Sequence, residues 1–436
     1  MKLKSGLVFK FKICYNITIE INIKYHTKKG RNFMEKWKQI RILLAVFMTG
    51  FVMTACNQEN SSVPDMEEET TETVQETTEE TLAEQSEDDS KIFQELRIAG
   101  QGMFNSGGTV TTAVSGDYDA AQSWKDSTRA GNTAHVDHAN VLYQIPAEDN
   151  GNPIVYLHGY RQSRMCWMTT PDGREGFSTL FMRNGHSAFL VDQPRRGEAG
   201  ATSEISSDTD LDMWYGEIDE DDEDYEKPET ATKYQPGDQA WYTYYRIGED
   251  LNKTNKNSQF PDSEEALNQF LRQATSNTGN YDKVVVAKAL AEVMNDVKNM
   301  TGQKSIFMAH AQGCSTAWDL PTENVSAIVA IEPITVPNSS SAQYQKLLEA
   351  KIPIVIYYGD YITDGNEELA STTYWQEILA KAQAFAEQYT ADGGDCTVVE
   401  LPEQNINGNS HFMFQEENNQ EIADLIETWL SKHGLN

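Results

Sequence analysis

One stretch, residues 305–314, constrains the fold more than any other part of the chain. It reads SIFMAHAQGC, a short apolar run followed by His, Ala, Gln and Gly. Small residues at Ala309 and Gly313 let the backbone of a strand and that of the following helix approach closely. The pattern therefore predicts a sharp strand-to-helix turn with Ala311 at its apex.

The residue at the apex decides what chemistry such a turn can support. Turns of this type normally read G-x-S-x-G and present a reactive serine, whereas this chain has Ala311 at that point. Because a methyl group cannot act as a nucleophile, the sequence predicts a hydrolytic site whose nucleophile position is held by Ala311. An engineered Ser→Ala change would give the same sequence as a natural alanine.

The composition excludes several classes of partner and site. The formal net charge is −32 over 436 residues, so nucleic acid would be repelled and is not expected as a partner. None of the five cysteines forms a CxxC pair, which leaves a zinc or thioredoxin-like site without support. We therefore expect neither a metal nor a cofactor, and the composition does not indicate an oligomeric state.

The N-terminal segment is predicted to direct export of the protein and not to form part of the folded domain. Residues 1–33 are rich in Lys, Ile, Asn and Tyr, and we interpret them as a spurious extension before a true start at Met34. An apolar run over 42–52 has the length of a signal peptide and is too short for a comfortable membrane span. The basic residues before this run are Lys36, Lys38 and Arg41.

The end of this segment resembles a bacterial lipobox. Met53-Thr54-Ala55 precedes Cys56, and the resemblance implies that residues 34–55 are a lipoprotein signal peptide and that Cys56 carries the lipid. The protein would then face outward from the cell envelope, held to the membrane through this lipid. An ordinary cleaved signal peptide with an incidental cysteine is the alternative.

An acidic segment follows. Residues 56–91 are dominated by Glu, Thr and Ser and cannot bury enough apolar area to offset the loss of chain entropy. They predict a disordered tether that is extended by its own charge. A specific acidic binding tail is the alternative.

Strands alternate with helices in residues 92–436, which predicts the α/β class with a doubly wound, mostly parallel sheet and an antiparallel edge. In such a sheet the loops that carry chemistry follow the carboxyl ends of the strands. The predicted strands are 95–112 (one or two strands), 135–145, 153–157, 186–191, 306–309, 327–331, 354–358 and 397–401. The predicted helices are 173–184, 282–300, a short helix from Cys314, 375–388 and 420–432.

A long insertion, residues 203–280, interrupts this pattern and is predicted to form a lid or cap. Its aromatic residues could line an apolar pocket or form the insertion's own core. Its acidic run, residues 217–226, lacks the spacing of a calcium loop and favours a solvated surface loop. The aromatic residues are Trp214, Tyr215, Trp241, Tyr242, Tyr244 and Tyr245.

Four features carry a resemblance to a known superfamily. His158-Gly159 follows a predicted strand, the 192–197 turn follows the next strand, the 309–313 turn comes third, and His411 lies late in a loop before the last helix. With these features, nearly all of residues 92–436 resembles the α/β-hydrolase superfamily.

The resemblance is closer to one group of bacterial esterases. These esterases carry a long insertion after the turn that ends at Gly197, with a segment like 268–273 inside it. They also have a Glu-Pro, here Glu332-Pro333, after the strand that follows the 309–313 turn. The resemblance implies hydrolysis of carboxylic esters and the chain order nucleophile, acid, histidine.

The resemblance and the residue chemistry together assign candidate roles. His411 lies in a polar loop and is the candidate general base, since imidazole titrates near neutrality. Glu332 and Asp360 compete as the acid that orients it. The esterase group uses the glutamate, which would leave Asp360 to bind loop backbone.

The remaining candidates surround the apex. The resemblance implies that the backbone N–H groups of Tyr160 and Gln312 form an oxyanion hole, with His158 positioning that loop and His310 bonding locally. Cys314, with Ser315 beside it, is a weak candidate for a surrogate nucleophile, because the start of a helix lowers a thiol pKa. A water activated by His411 is a further route.

Two functions follow. The first is an esterase-like hydrolase with lost or weak turnover. The second is a non-catalytic binding or scaffold protein that keeps the pocket. Both hypotheses predict a small ester-like or apolar ligand.

Overall fold

The structure is a computed structural model, and its described residues fall into two units, Met1–Asp89 and Ser90–Asn436. In the first unit, strand β1 (Gly6–Ile13) pairs antiparallel with β2 (Ile17–Lys24). The predicted signal peptide, Cys56 and the tether lie outside the described residues. The described residues are 6–13, 17–24, 94–112, 115–121, 130–203 and 237–436.

The second unit is built on a central sheet of eight strands. The strands of this unit are β3 (Ile98–Ser106), β4 (Thr109–Thr112), β5 (Thr133–Val136), β6 (Ala139–Pro146), β7 (Ile154–Leu157), β8 (Ala188–Asp192), β9 (Gly248–Asp250), β10 (Lys253–Thr254), β11 (Ser305–His310), β12 (Val325–Ile331), β13 (Ile354–Tyr358) and β14 (Cys396–Glu400).

The order of strands in the central sheet is β3-β6-β8-β7-β11-β12-β13-β14. Within this order, each adjacent pair in the run β8-β7-β11-β12-β13-β14 is parallel. Strand β6 pairs antiparallel with both β8 and β3. Strands β7, β8, β11 and β13 are buried along their whole length, as expected of parallel strands covered on both faces. The predicted doubly wound sheet with an antiparallel edge is confirmed.

Helices cover the sheet and form part of the insertion. They are α1 (Met165–Met168), α2 (Phe177–Arg183), α3 (Asp238–Tyr244), α4 (Glu264–Arg272), α5 (Lys283–Thr301), α6 (Cys314–Ala317), α7 (Ala342–Ala350), α8 (Ala370–Ala391) and α9 (Asn419–Lys432). The Asp282 side chain caps α5 by accepting hydrogen bonds from the Val284 and Val285 N–H groups, and Gly302 ends the helix at φ 74°. In the described part of the chain, no helix combines the length and apolarity that crossing a membrane requires.

Several boundaries differ from the sequence prediction, including those of α8, which spans 370–391 instead of 375–388, and two differences have a visible cause. The single strand predicted over 135–145 is two strands in different sheets, because Asp137 turns the chain at φ 57° and β5 pairs with β4 instead. Asp137 is held there by Arg195 Nε, at 2.9 Å, a contact that local sequence does not reveal. Helix α2 begins at Phe177 rather than at 173, because the Arg174 N–H donates to Thr170 Oγ1 in a turn just before it.

Candidate active site

The predicted strand-to-helix turn joins β11 to α6. Ala311 lies there in the left-handed region, at φ 48°, which costs a residue with a Cβ roughly 1–2 kcal/mol. A Cβ at Gly313 would lie 2.6 Å from the His158 carbonyl oxygen, so only glycine fits. Ala311 is 3% exposed, and the turn therefore holds a strained, buried alanine at its apex.

Glu332 and His411 meet at the carboxyl edge of the sheet. Glu332 directly follows β12, is fully buried, and accepts a hydrogen bond from His411 Nδ1 through Oε2 at 3.1 Å. Its other oxygen accepts from the Gly359 N–H at 2.7 Å and from Arg246 Nη2 at 2.6 Å. Of the two competing carboxylates, Glu332 is the one that lies against the imidazole.

Asp360 follows β13 and contacts the loop of His411 instead of its ring. Its Oδ2 accepts from the Gly408 N–H at 2.9 Å, and its own N–H donates to the Asn409 carbonyl at 2.7 Å. Asp360 therefore holds the backbone that carries His411, which is the role left to it when Glu332 orients the ring.

The His411 ring is enclosed by aromatic side chains. Tyr245 stacks on it with ring centroids 4.5 Å apart, and the Trp375 ring centroid lies 4.7 Å away. The backbone N–H of His411 donates to the Tyr245 carbonyl at 3.2 Å. Burial and the nearby Arg246 guanidinium hold the pKa of His411 well below its usual value. The neutral ring donates from Nδ1, and within the described residues its buried Nε2 has no hydrogen-bond partner.

Arg246 is a site residue that sequence reasoning missed. Besides binding Glu332, it donates from Nε to the Asp360 carbonyl at 3.0 Å, and its guanidinium lies 4.7 Å over the Trp375 ring. It comes from the predicted insertion and is 4% exposed. Its place between two apolar neighbours, Tyr245 and Ile247, was the available signal.

Glu416 was also missed. It is fully buried and accepts from the Ser410 N–H at 3.0 Å and from Asn409 Nδ2 at 2.8 Å. Burial raises the pKa of this carboxyl group to about 7. It fixes the residues directly before His411, and nothing local separates it from the other glutamates of that segment.

The loop predicted to supply one oxyanion donor lies against the apex. A Cβ at Gly159 would be 3.1 Å from the Ala311 Cβ, so the loop at Gly159 is packed directly against the apex. His158 Nδ1 donates to the Gly159 carbonyl at 2.9 Å, and its Nε2 accepts from a backbone N–H at 3.4 Å. This neutral form agrees with a pKa that burial lowers to about 3.

Arg196 ties the same loop to the turn. Its Nη1 donates to the Gly159 carbonyl at 2.8 Å, and its Nη2 reaches Gln312 Oε1 at 3.5 Å. The guanidinium therefore spans the two elements that the resemblance assigned to the oxyanion hole.

The neighbours of the apex make local contacts. His310 bonds to Gln162 Oε1 at 2.9 Å and to the His411 carbonyl at 3.0 Å. Cys314 Sγ donates to the Ala309 carbonyl at 3.1 Å, and burial raises the pKa of its thiol well above the usual value. Cys314 is thus a buried thiol engaged with backbone, and the structure gives no support to it as a surrogate nucleophile.

Ser315 is engaged elsewhere as well. Its hydroxyl pairs with Thr335 Oγ1 at 3.0 Å, and no hydrogen bond to His411 is present among the described contacts. The structure gives no support to Ser315 as a nucleophile.

The described part of the insertion, residues 237–280, covers the site. Trp241 packs against Tyr245 and Phe412 with centroids 4.5 and 5.8 Å apart, whereas Tyr242 bonds Thr254 within the insertion. Trp241 thus packs against the aromatic residues of the His411 loop, and Tyr242 belongs to the insertion's own core. Tyr244 contacts Tyr374, and Trp214, Tyr215 and the acidic run 217–226 lie outside the described residues.

An open cleft of about 490 Å³ lies beside the turn and is lined in part by Gln312, Tyr281 and Trp318. No cluster of side chains suited to a metal is found in the described ranges.

Comparison with known proteins agrees with this architecture, although no family model matches the chain. A probable secreted lipase, phiG, of a fungal species (strain ATCC 74256) is 25% identical over 336 residues, which cover 64% of this chain and 82% of the lipase. A novel bacterial esterase, solved at atomic resolution, superposes with a TM-score of 0.62 at 26% identity, covering 78% of this chain and 98% of the esterase. The esterase RhEst1 from Rhodococcus gives a TM-score of 0.32 at 13% identity, covering 69% and 97%.

The likeness to the bacterial esterase and to the secreted lipase, together with the strand order, defines the class. The chain has an α/β-hydrolase fold of the esterase and lipase type.

Proposed function

We propose that this protein keeps the carboxylic-ester site of an α/β-hydrolase with Ala311 at the nucleophile position, and that it binds ligands there with turnover lost or weak. One observation carries the proposal. His411 Nε2 is buried without a partner in the described structure. The turn that would present a serine hydroxyl to this nitrogen has a strained alanine, Ala311, at its apex.

The proposed machinery is complete apart from the nucleophile. Glu332 would hold the imidazole tautomer and stabilise its cation, and His411 would take up and return the proton. The Tyr160 and Gln312 N–H groups would polarise a ligand carbonyl, and one such donor is worth roughly 3–4 kcal/mol in a transition state. Without an oxygen at residue 311, no acyl-enzyme forms, and a water activated by His411 is a slow substitute.

Hydrolysis of short-chain p-nitrophenyl esters tests the proposal. The full-length protein is compared with Ala311→Ser, and His411→Ala is added to both. We expect the unaltered protein to be inert and Ala311→Ser to raise kcat/KM by at least roughly 10⁴-fold, because removal of such a nucleophile costs about 10⁶-fold elsewhere. The gain should vanish when His411→Ala is added.

Two outcomes would contradict the proposal. Turnover by the unaltered protein that matches the rate of Ala311→Ser and that His411→Ala abolishes would show that another nucleophile replaces the missing serine. A folded Ala311→Ser variant that hydrolyses none of the esters would show that the site or the substrate class is wrongly assigned.

We further propose that Cys56 carries a lipid and holds the protein on the outer face of the cell envelope. The lipobox-like residues before Cys56 support this localisation. Cys56→Ser should move the protein from the detergent phase to the aqueous phase in a phase-separation assay. Unchanged partitioning would contradict the anchor.

A further inference from the structure

His411 Nε2 offers an unused hydrogen-bonding position inside the protein. The side chain is fully buried, and Nδ1 is occupied by Glu332 at 3.1 Å. Since the two nitrogens lie on different sides of the ring, Nε2 points away from that carboxylate. A buried polar atom without a partner is unfavourable, so a ligand atom that pairs with it gains binding energy.

Ala311 changes which ligand atom fits. In a serine site the hydroxyl oxygen stands in front of the imidazole, and its lone pairs repel an incoming carboxylate oxygen. The methyl group of Ala311 is smaller and carries no lone pair. The position beside His411 can therefore take an anionic oxygen.

The charged groups nearby favour an anion as well. Arg196 is 2% exposed, and its hydrogen bonds within the described residues go only to uncharged oxygens, those of Gly159, Asn277 and Gln312. Arg196 is thus a buried positive charge that is not hydrogen-bonded to any carboxylate. It lies next to Gly159 and Gln312, in the two segments proposed to form the oxyanion hole. A negative ligand would offset the cost of burying that charge.

We propose that the site binds free carboxylates, and that His411 takes up one proton from solvent as each carboxylate binds. One carboxylate oxygen accepts a hydrogen bond from protonated Nε2, and the other lies at the Tyr160 and Gln312 amides. This deepens the proposed function and rests on it, since it needs the same site without its serine.

The groups that face His411 agree with proton uptake. They are Glu332, Arg246, His310 and Tyr245. In the empty site, burial and Arg246 keep the pKa of His411 low, so the ring starts neutral. A carboxylate in contact with Nε2 adds a second negative neighbour, which favours the imidazolium.

Calorimetric titration of the full-length protein tests the proposal. The probes are straight-chain carboxylates from acetate to octanoate, each paired with its primary amide, in phosphate and in Tris at pH 7. We expect the best carboxylate to bind at least tenfold more tightly than its amide. The difference in heat between the two buffers should correspond to about one proton taken up per carboxylate.

Two variants sharpen the test. Ala311→Ser should weaken carboxylate binding at least tenfold, because the hydroxyl reoccupies the position. His411→Gln should remove the proton uptake, and if that variant does not fold, the two-buffer comparison on the unaltered protein decides alone. Equal affinity for acids and amides, or binding without proton uptake, would overturn the proposal.

The ester assay separates the two possible failures. If Ala311→Ser restores hydrolysis but the unaltered protein shows no preference for carboxylates, this inference is wrong and the proposed function stands. If Ala311→Ser restores nothing, the proposed function itself is wrong.

Discussion

The candidate site has two parts, the His411 loop (residues 408–416) and the turn at residues 309–314. The loop holds the His411 side chain in place, whereas the turn has only the methyl group of Ala311 at its apex. In the loop, Gly408 and Ser410 are bound by buried or half-buried carboxylates, and His411 reaches Glu332. In the turn, the apex is strained and the glycine beside it is closely packed, and under the proposed function Ala311 stands where a reactive oxygen would be.

This comparison distinguishes features that the fold needs from features that only a functional site needs. The strain at Ala311 and the burial of the Glu332–Arg246 pair both cost stability, and neither is needed for a well-packed sheet. Strain of this kind typically persists at functional sites. Under the proposed function, the site holds a base and an acid in place without a nucleophile and binds ligands. The following predictions test the loop and the turn separately.

The largest expected effect tests whether Glu332 and His411 can act together as acid and base in catalysis. In the Ala311→Ser background, Glu332→Gln should lower kcat about 10⁴-fold, because the wrong imidazole tautomer is then held. Asp360→Asn is the matched control and should cost less than about tenfold, since Asp360 contacts backbone only. Equal losses in the two variants, measured by ester hydrolysis, would refute the assignment of the acid.

The next effect concerns the support of that acid. Arg246→Met should lower the free energy of unfolding by about 3–5 kcal/mol, because it leaves the Glu332 charge buried with its ion pair broken. Lys253 pairs with Glu249 while its own side chain is 67% exposed, so Lys253→Met should cost no more than about 0.5 kcal/mol. Denaturant titration of both variants measures the contrast, and similar shifts would show that Arg246 does not support Glu332.

The smallest effect concerns Glu416 and depends on pH. Burial raises its pKa from the ordinary glutamate value of 4.5 to about 7 in the folded protein, so the folded state binds this proton more tightly than the unfolded state. Its contribution to stability is complete below about pH 4.5 and falls by about 3 kcal/mol as the pH rises through 7.

Other buried groups act in the opposite direction. His158, His310 and His411 have lowered pKa values, so protonation in the unfolded state makes the protein less stable as the pH falls. The difference between the unaltered protein and Glu416→Gln therefore isolates Glu416, and denaturant titrations from pH 4.5 to 8 should show it shrinking with pH. A difference independent of pH would contradict the raised pKa.

Local pattern was sufficient for the framework. Runs such as 354–358 are apolar along their whole length and bounded by turn residues, and β13 has the predicted bounds. The long helix α5 was anticipated within one residue at each end, because Asp282 caps it and Gly302 ends it.

Tertiary contacts account for what the sequence did not show. The break at Asp137 depends on Arg195, which lies 58 residues further along the chain. Arg246 becomes a site residue only because the insertion folds back onto the ends of β12 and β13. Glu416 becomes one only because the backbone before His411 folds around its carboxylate. The sequence did indicate the candidates His411, Glu332 and Ala311, but their distances, and the contact of Asp360 with the loop, needed the fold.

The most direct test of the central claim is covalent labelling by a fluorophosphonate, read by intact mass. This reagent reacts with an activated serine and needs no assumption about the natural ligand. We expect no adduct on the unaltered protein, one adduct at residue 311 in Ala311→Ser, and none when His411→Ala is added. A His411-dependent adduct on the unaltered protein, or a folded Ala311→Ser variant that stays unlabelled, would contradict the claim that this is a hydrolase site lacking only its nucleophile.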